Sequence, residues 1–377
     1  MKLKQSPDDF QVEELTTIAP SSGRFALYRL SKRSWTTPDA LTLVRERWRI
    51  APNRISFGGL KDRHAATTQH FTILHGPQRK LTHDAVTVDY LGQVAEPFTS
   101  KDILANRFRI ILHGVDDSAL GRANEVGANG VPNYFDDQRF GSAAANGEFI
   151  ARLMVLGQYE DALKLALTMP YEFDKAQQKH DKATLSRLWG QWGPCATALS
   201  QGQEQRIAHF LAQRPGDYRG AVRVLHPELQ GLYLAAYQSF IWNRMLAALI
   251  RRTSAVPHRL HLKHGNVPTG RELNTEQREQ LSSMTLPLPS ARLAWDAAAP
   301  WASLVENALS DQGFALQKMK LPGLRQPFFS RGERVAWVIP QSFAATTTNE
   351  RSLTLAFDLP RGSYATIVVK HLQVVAE

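Results

Sequence analysis

The sequence predicts a mixed α/β (α+β) fold, with a mainly antiparallel mixed sheet near both ends of the chain and an α-rich region in the middle. Apolar residues alternate with polar ones in short runs up to about residue 112 and again after about residue 334. From about residue 143 the apolar spacing becomes that of amphipathic helices. The 377 residues, 43% of them hydrophobic, suffice for two packed domains or one large one.

Short runs with strand texture dominate the first part of the chain. Phe10 and Val12 alternate with polar residues, as in a half-buried strand. Similar runs cover residues 25–30, 54–57, 69–74, 86–94 and 107–112. Thr37 followed by Pro38 predicts the N-cap and first turn of a helix, and a further helix is predicted over 116–128. Adjacent strands with few intervening helices favour a mainly antiparallel sheet.

Helical periodicity covers the middle of the chain. The shorter predicted helices cover residues 149–156, 159–168, 182–188, 203–212, 275–281 and 301–310. The longest runs from Leu229 to Arg251, and its apolar residues at i, i+3 and i+4 predict a buried core face. Strand texture returns at 334–340 and 352–359, and Ser363 is predicted to cap a short final helix with Tyr364 facing inward.

Charge and composition narrow the possible partners and cofactors. The formal net charge is +10, and Lys and Arg are spread along the chain, so a folded surface that binds a polyanion such as nucleic acid is expected. The single cysteine, Cys195, cannot form an intrachain disulfide, and neither a Cys/His metal motif nor a phosphate- or dinucleotide-binding glycine motif is present. We expect no metal and no cofactor. With neither a secretory leader nor a membrane span apparent in the sequence, a cytoplasmic protein is expected.

A glycine-rich turn carries the candidate reactive group. Gly58 and Gly59 permit a tight turn or a close backbone approach, and Asp62 follows them between Lys61 and Arg63. The two flanking cations favour the ionised form of Asp62. An ionised, positioned carboxylate can act as a nucleophile or as a base. The alternative is a solvated turn with a structural ion pair.

A second loop, residues 131–141, combines three aromatic residues with amides and an arginine. An aromatic ring can stack on a nucleobase, and an amide such as that of Asn133 can bond a uracil edge. The alternative is that Tyr134, Phe135 and Phe140 only anchor the loop in a core.

These segments resemble the TruD family of pseudouridine synthases. Residues 59–69 match its pattern G-x-K-D-(R/K)-x-A-x-T-x-Q, and residues 7–14 are similar to P-E-D-F-x-V-x-E. Residues 133–141 match N-Y-F-G-x-Q-R-F-G, with Asp136 where the family usually has Gly. Further matches are Gln238, Ser239, Trp242 and Asn243 to Q-S-x-x-(F/W)-N, and residues 359–366 to L-P-x-(G/S)-S-(F/Y)-A-T.

The resemblance implies a division of the chain and a set of site residues. Residues 1–149 and 333–377 would form the pseudouridine synthase catalytic domain, and residues 150–332 an inserted, α-rich TRUD-specific domain. Asp62 would be the catalytic residue. The residues implied at the substrate are Phe10, Lys61, Asn133, Phe135, Arg139 and Tyr364.

Each of these residues has an expected task. The rings of Phe10, Phe135 and Tyr364 would form walls for the base, and Asn133 would anchor it. Lys61 would keep Asp62 ionised or touch a phosphate. Cations of the inserted domain could also contact phosphates, namely Lys318, Lys320, Arg325, Arg331 and Arg334.

The resemblance thus implies a monomeric enzyme that converts a uridine of tRNA, expected to be uridine 13, to pseudouridine. Asp62 could attack the sugar, attack C6 of uracil, or abstract a proton from an eliminated sugar. One alternative is a non-catalytic RNA-binding or RNA-chaperone protein that keeps the site. Another is an Asp-dependent hydrolase of nucleotides or sugars, which would need a second catalytic carboxylate near Asp62.

Overall fold

The structure, a computed structural model, describes residues 2–144, 146–171, 174–253, 258–321, 328–349 and 351–373. The chain divides into two compact units: unit 1 comprises Met1–Asn133 and Trp337–Glu377, and unit 2 comprises Tyr134–Ala336. The α-rich unit therefore begins before residue 150, where the resemblance placed its start. Whether this unit is a separate functional domain stays a prediction.

Unit 1 contains most of the strands. Its elements are β1 Lys2–Leu3, β2 Phe10–Thr16, β3 Phe25–Arg33, α1 Thr37–Trp48, β4 Ile55–Phe57, β5 Ala66–Leu74, β6 Leu81–His83, β7 Val86–Val94, β8 Ile103–His113, α2 Ala119–Asn129, β9 Val131–Pro132, β14 Trp337–Val338, β15 Gln341–Asn349, β16 Ser352–Pro360 and α12 Ala365–His371. The strands predicted over the first 112 residues are all present, most of them longer than predicted. The strand β15 was missed, because its run of Ala and Thr has little alternation.

One large mixed sheet organises unit 1. In the described residues it has ten strands, in the order β15-β16-β8-β2-β5-β3-β7-β6, with β1 also paired to β8 and β4 to β5. The pairs are antiparallel except for β2 and β5, which run parallel. The predicted mainly antiparallel mixed sheet is confirmed.

The parallel pair determines which loops meet. Gln11 in β2 lies opposite Ala66 in β5. Since parallel strands begin at the same edge of a sheet, the segment before β2 and the loop before β5 lie side by side. This register brings residues 4–9 close to the glycine-rich loop 58–65, although residues 10–57 separate them in the chain.

The helix α1 covers one face of this sheet. Its buried residues Ala40, Val44 and Trp48 pack against a cluster that includes Tyr28 and Phe71. The rings of Tyr28 and Phe71 are stacked, with centroids 5.0 Å apart. This apolar layer fixes β3 and β5, and thereby the two strands that flank the loop.

The start of α1 differs by one residue from the prediction. Thr36, not Thr37, is the N-cap, and its side chain accepts a hydrogen bond from the backbone N–H of Asp39. Pro38 lies in the first turn, as expected. Thr37 is the first helical residue and is fully buried, so its hydroxyl is available for another contact described below.

Unit 2 is mainly helical. Its elements are α3 Ile150–Val155, α4 Tyr159–Thr168, α5 Ala176–Arg187, α6 Trp192–Ala198, α7 Gln203–Gln213, α8 Tyr218–Val224, α9 Pro227–Thr253, β10 Arg259–Leu262, β11 Gly265–Pro268, α10 Thr275–Ser283, β12 Thr285–Pro287, α11 Ala302–Ser310 and β13 Glu333–Val335. The predicted helices are present, while α6 and α8 were missed because each spans only seven residues. The hairpin of β10 and β11 was missed.

The long helix α9 is the core of unit 2. Tyr237, Ile241 and Met245 of the predicted stripe are completely buried, whereas Leu232 near its start is exposed. The helix also buries polar residues on a second face. Gln238 donates to the carbonyls of Pro289 and Ser330, at 2.9 Å each. The helix therefore binds the surrounding loops by hydrogen bonds as well as by apolar packing.

Among the described residues, no helix combines the length and the hydropathy needed to cross a membrane.

The capping contact of Thr36 can be tested by substitution. We expect Thr36→Ala to lower the free energy of unfolding by about 1 kcal/mol, because the N–H of Asp39 loses its partner at the start of α1. Urea denaturation followed by circular dichroism measures the change. Thr36→Ser keeps the acceptor oxygen and is the matched control, so an equal loss in both variants would contradict the capping role.

Candidate active site

The glycine-rich loop, residues 58–65, connects β4 to β5 and has no regular structure of its own. At Gly58 an added Cβ would lie 2.5 Å from Cδ1 of Ile103, so no larger residue fits there without a shift. At Gly59 a Cβ would meet no atom within 4 Å. Of the two glycines, Gly58 is therefore the one that a close approach requires.

Lys32 binds the loop from the sheet. Its ammonium donates to the carbonyl of Asp62 at 2.9 Å, to that of Trp35 at 2.7 Å and, more weakly, to that of Lys61 at 3.5 Å. Burial lowers the pKa of Lys32 to about 8, although the negative charge of Asp62 opposes the shift. At neutral pH Lys32 is therefore still mainly protonated.

Thr37 and Gln69 bind the same loop from its other side. The hydroxyl of Thr37 accepts a hydrogen bond from the N–H of Lys61 at 3.0 Å and donates to the amide oxygen of Gln69 at 2.8 Å. The amide nitrogen of Gln69 donates to the carbonyl of Gly59 at 3.1 Å. Because Thr37 and Gln69 are both fully buried, these contacts are shielded from water.

The side chain of Lys61 points into a buried polar group rather than outward. Its ammonium lies 3.0 Å from Oε2 of Glu14 and donates to Oδ1 of Asn106 at 2.7 Å. Oε1 of Glu14 accepts the backbone N–H of His70 at 2.9 Å. Burial alone would raise the pKa of Glu14, but the hydrogen bonds from His70 and the charge of Lys61 outweigh it and lower that pKa.

The ion pair that the structure shows at Asp62 is with Lys4. Nζ of Lys4 lies 2.7 Å from Oδ2 of Asp62, and the Asp62 side chain is 32% exposed. The same ammonium lies 4.1 Å from the centroid of the Phe10 ring, as in a cation–π contact. Lys4 therefore supplies a counter-charge to Asp62, whereas Lys61 pairs with Glu14, and Asp62, Lys4 and Phe10 form one cluster.

Phe10 itself is almost entirely buried. It is 3% exposed, and its ring meets that of Phe108 edge-on at 6.1 Å between centroids. In this conformation the ring packs in the core and presents its face to Lys4. Its role as a wall for a base stays a prediction.

The second predicted loop lies in unit 2 from Tyr134 onward, around Phe135. The side chain of Asn243 accepts the N–H of Phe135 at 2.9 Å and donates to its carbonyl at 2.8 Å. Trp242 meets the Phe135 ring edge-on at 5.5 Å. The guanidinium groups of Arg334 and Arg139 lie 4.3 Å and 5.4 Å from the ring centroid. Phe135 and Arg139 are thus brought together, and Arg334, predicted for phosphate, stacks on an aromatic ring.

The backbone conformation of Asp136 does not require a glycine. Its φ is −90° and its ψ is 170°, which is extended backbone that any residue can adopt. The departure from the family pattern therefore imposes no strain on this loop.

The remaining predicted residues lie in unit 1. Asn133 is buried, and Tyr364 is half-buried immediately before α12. Tyr364 occupies the N-cap position of α12 without a capping side-chain bond, so the prediction that Ser363 caps this helix was wrong. The inward orientation of Tyr364 stays a prediction. Of the cations predicted to contact phosphates, Lys318, Lys320 and Arg331 are exposed, and Arg325 lies outside the described residues.

Sequence reasoning missed Lys4, Lys32 and Glu14 as parts of the site. Glu14 could have been found from the sequence, because it is the last residue of the 7–14 segment that resembles the family pattern. Lys32 could also have been found, because the alternation of buried and exposed residues in β3 predicts a buried residue at its position. Lys4 could not have been found in this way, because only the strand register brings it to Asp62. No group of three or more His, Cys, Asp or Glu suited to a metal ion occurs among the described residues.

Comparisons with known proteins match nearly the whole chain. The family model described as "TruD: tRNA pseudouridine synthase D (TruD)" matches residues 1–372. The "Probable tRNA pseudouridine synthase D 1" of Methanococcus maripaludis is 28% identical over 391 residues, covering 99% of each chain. The tRNA pseudouridine synthase D of Aquifex aeolicus is 27% identical over 392 residues, covering 99% of this chain and 98% of the relative.

A solved structure supports the fold. The crystal structure of a TruD protein from Methanosarcina mazei superposes with a TM-score of 0.69, over 99% of this chain and 93% of that one, at 24% identity. The likeness confirms the predicted pseudouridine synthase fold.

The buried pair of Glu14 and Lys61 makes a pH-dependent contribution to stability. The pKa of Glu14 is lowered from 4.5 in the folded protein, so its contribution is complete above that value and is lost as the pH falls through the folded pKa. We expect Glu14→Gln to cost about 3 kcal/mol at pH 7, because it leaves Lys61 without its buried partner.

Urea denaturation between pH 3 and pH 7 tests this expectation. The difference in the free energy of unfolding between wild type and Glu14→Gln should become smaller as the pH falls. Glu96→Gln, which changes an exposed acid of the same unit, should show no such difference. A difference that stays constant down to pH 3 would rule out the assigned ion pair.

Proposed function

Because this chain belongs to the TruD family of tRNA pseudouridine synthases, we propose that it converts a uridine of tRNA to pseudouridine with Asp62 as the catalytic carboxylate. The target uridine that we propose is uridine 13. The reaction is an isomerisation: the C1′–N1 bond breaks, a C1′–C5 bond forms, and the hydrogen on C5 leaves as a proton while N1 gains one. It requires a carboxylate beside the ribose and the uracil.

The observation that carries the proposal is the setting of Asp62. Its carboxylate is partly exposed, so a substrate can reach it, while the backbone on both sides is bound to buried side chains. A solvated turn would not need this support. Catalytic groups gain from being held near the reactive geometry before substrate binds.

Lys4 completes this setting. An ammonium 2.7 Å from the carboxylate places a positive charge beside the group that we propose as nucleophile or base. The carboxylate could then attack C1′, attack C6, or abstract a proton from the eliminated sugar, and the arrangement serves each route. We propose that Phe10, Phe135 and Tyr364 form walls for the base and that Asn133, Arg139 and Lys61 contribute to binding the RNA.

Substitution of Asp62 tests the proposal. We expect wild-type protein to release tritium from tRNA labelled with [5-³H]uridine, because the new bond forms at C5. Asp62→Asn should release none above background, since an amide is neither a nucleophile nor a base of useful strength. Asp84→Asn, which changes an exposed acid of the same unit, is the control and should keep full activity.

Two results would contradict the proposal. Equal release by Asp62→Asn would remove Asp62 from the chemistry. Binding of tRNA without release by the wild type, from any tRNA, would favour a non-catalytic RNA-binding protein. Mapping the modified position in the product tRNA tests the choice of uridine 13 separately.

Lys4 provides a second test. We expect Lys4→Met to lower kcat/KM for tRNA about 10-fold, because the carboxylate loses its neighbouring cation. Lys4→Arg keeps the charge and should retain most of the activity. Lys101→Met removes an exposed lysine of the same unit and controls for the loss of net charge. Equal effects of Lys4→Met and Lys101→Met would show that the contact with Asp62 has no catalytic role.

A further inference from the structure

Lys32 is an unusual residue for its position in the sheet. Within β3, Tyr28 and Leu30 point into the apolar layer beneath α1, and Lys32 continues the same face. It is 2% exposed, although lysine is among the residues least often buried. A charged amine in such a place requires compensation by hydrogen bonds.

The compensation comes from one specific source, which is the backbone that carries Asp62. An ammonium has three N–H groups, and the structure shows three carbonyl acceptors for Lys32: those of Trp35, Lys61 and Asp62. Trp35 precedes α1, while the other two lie in the loop 58–65. Lys32 therefore ties the loop to the segment between β3 and α1, at the residue proposed to react.

We propose that Lys32 is a positioning residue for the reaction, which orients the Asp62 carboxylate by holding the carbonyls of Lys61 and Asp62. This inference rests on the proposed function. Lys32 acts through the backbone and does not itself reach the substrate. It works together with Thr37, which accepts the N–H of Lys61, so that both backbone groups of the residue before Asp62 are held.

The chemistry of the lysine side chain suits this task better than that of its nearest substitutes. A methionine has similar length but no donor, so the carbonyls would lose their partner. A glutamine supplies two N–H donors on a shorter chain and can serve part of the set. Substitution by methionine therefore removes all the hydrogen bonds of Lys32, whereas substitution by glutamine can keep some of them.

The experiment compares Lys32→Met and Lys32→Gln with Arg33→Met in steady-state tritium release from tRNA. Arg33 is the next residue of the strand, and its half-exposed side chain pairs with Asp8 rather than with a carbonyl of the loop. A small misplacement of a reacting group lowers the rate about 100-fold. We therefore expect kcat of Lys32→Met to be about 100-fold below that of wild type, and its KM to stay within about twofold of the wild-type KM. Lys32→Gln should lose about 10-fold, and Arg33→Met should match wild type.

Hydrogen exchange separates positioning from general loss of stability. Lys32→Met should speed amide exchange in residues 58–65, while β3, β5 and α1 keep their protection. Thermal unfolding of each variant gives its folded fraction under the assay conditions. A loss of kcat explained by that fraction, with faster exchange throughout unit 1, would overturn the inference. So would a Lys32→Met variant with wild-type kcat.

The design also separates this inference from the one on which it depends. Active wild type with normal kinetics in Lys32→Met overturns the role of Lys32 alone. Wild-type protein that binds tRNA and never releases tritium overturns the proposed function and, with it, the positioning role.

Discussion

The binding of one short irregular loop by buried side chains is the constraint on which this structure depends. Residues 59–62 form no regular backbone hydrogen bonds, so their N–H and C=O groups must find partners elsewhere. Lys32, Thr37 and Gln69 supply those partners from β3, α1 and β5. The sheet and its apolar layer hold these three elements in place, and the hydrogen bonds hold the loop in a fixed position against them. The Asp62 carboxylate can therefore be partly exposed without being loosely held.

This arrangement gives a physical meaning to the long motif around Asp62. Gln69 lies seven residues after the aspartate, yet it serves the loop by binding the carbonyl of Gly59. Glu14, from the segment near the N-terminus, anchors the side chain of Lys61 and the backbone of His70. Much of the motif therefore serves to hold the loop that carries Asp62. Lys61, adjacent to Asp62 in sequence, pairs with Glu14, and the more distant Lys4 pairs with Asp62.

Unit 2 shows the same use of buried polar groups around Phe135. Asn243 of α9 binds both backbone groups of this residue, and Trp242 and Arg334 contact its ring. Along the chain, about a hundred residues separate Phe135 of the loop 131–141 from Asn243 of the long helix. No local sequence pattern predicts that the loop and the helix are in contact. Once they are joined, the loop residues from Tyr134 onward belong to the helical unit, which is why that unit begins before the change in sequence periodicity.

The sequence by itself determined the features that local patterns encode. Alternation and helical spacing located the strands of unit 1 and the helix α9, and the motif residues located Asp62, because these signals depend on neighbours in the chain. The tertiary structure decided what depends on distant residues: the pairing of Asp62 with Lys4, the burial of Lys32 beneath the loop, and the cap of α1 at Thr36. The parallel register of β2 and β5 brings the segment of Lys4 to the loop of Asp62. No periodicity reports such a register, because it is set by the packing of the whole sheet.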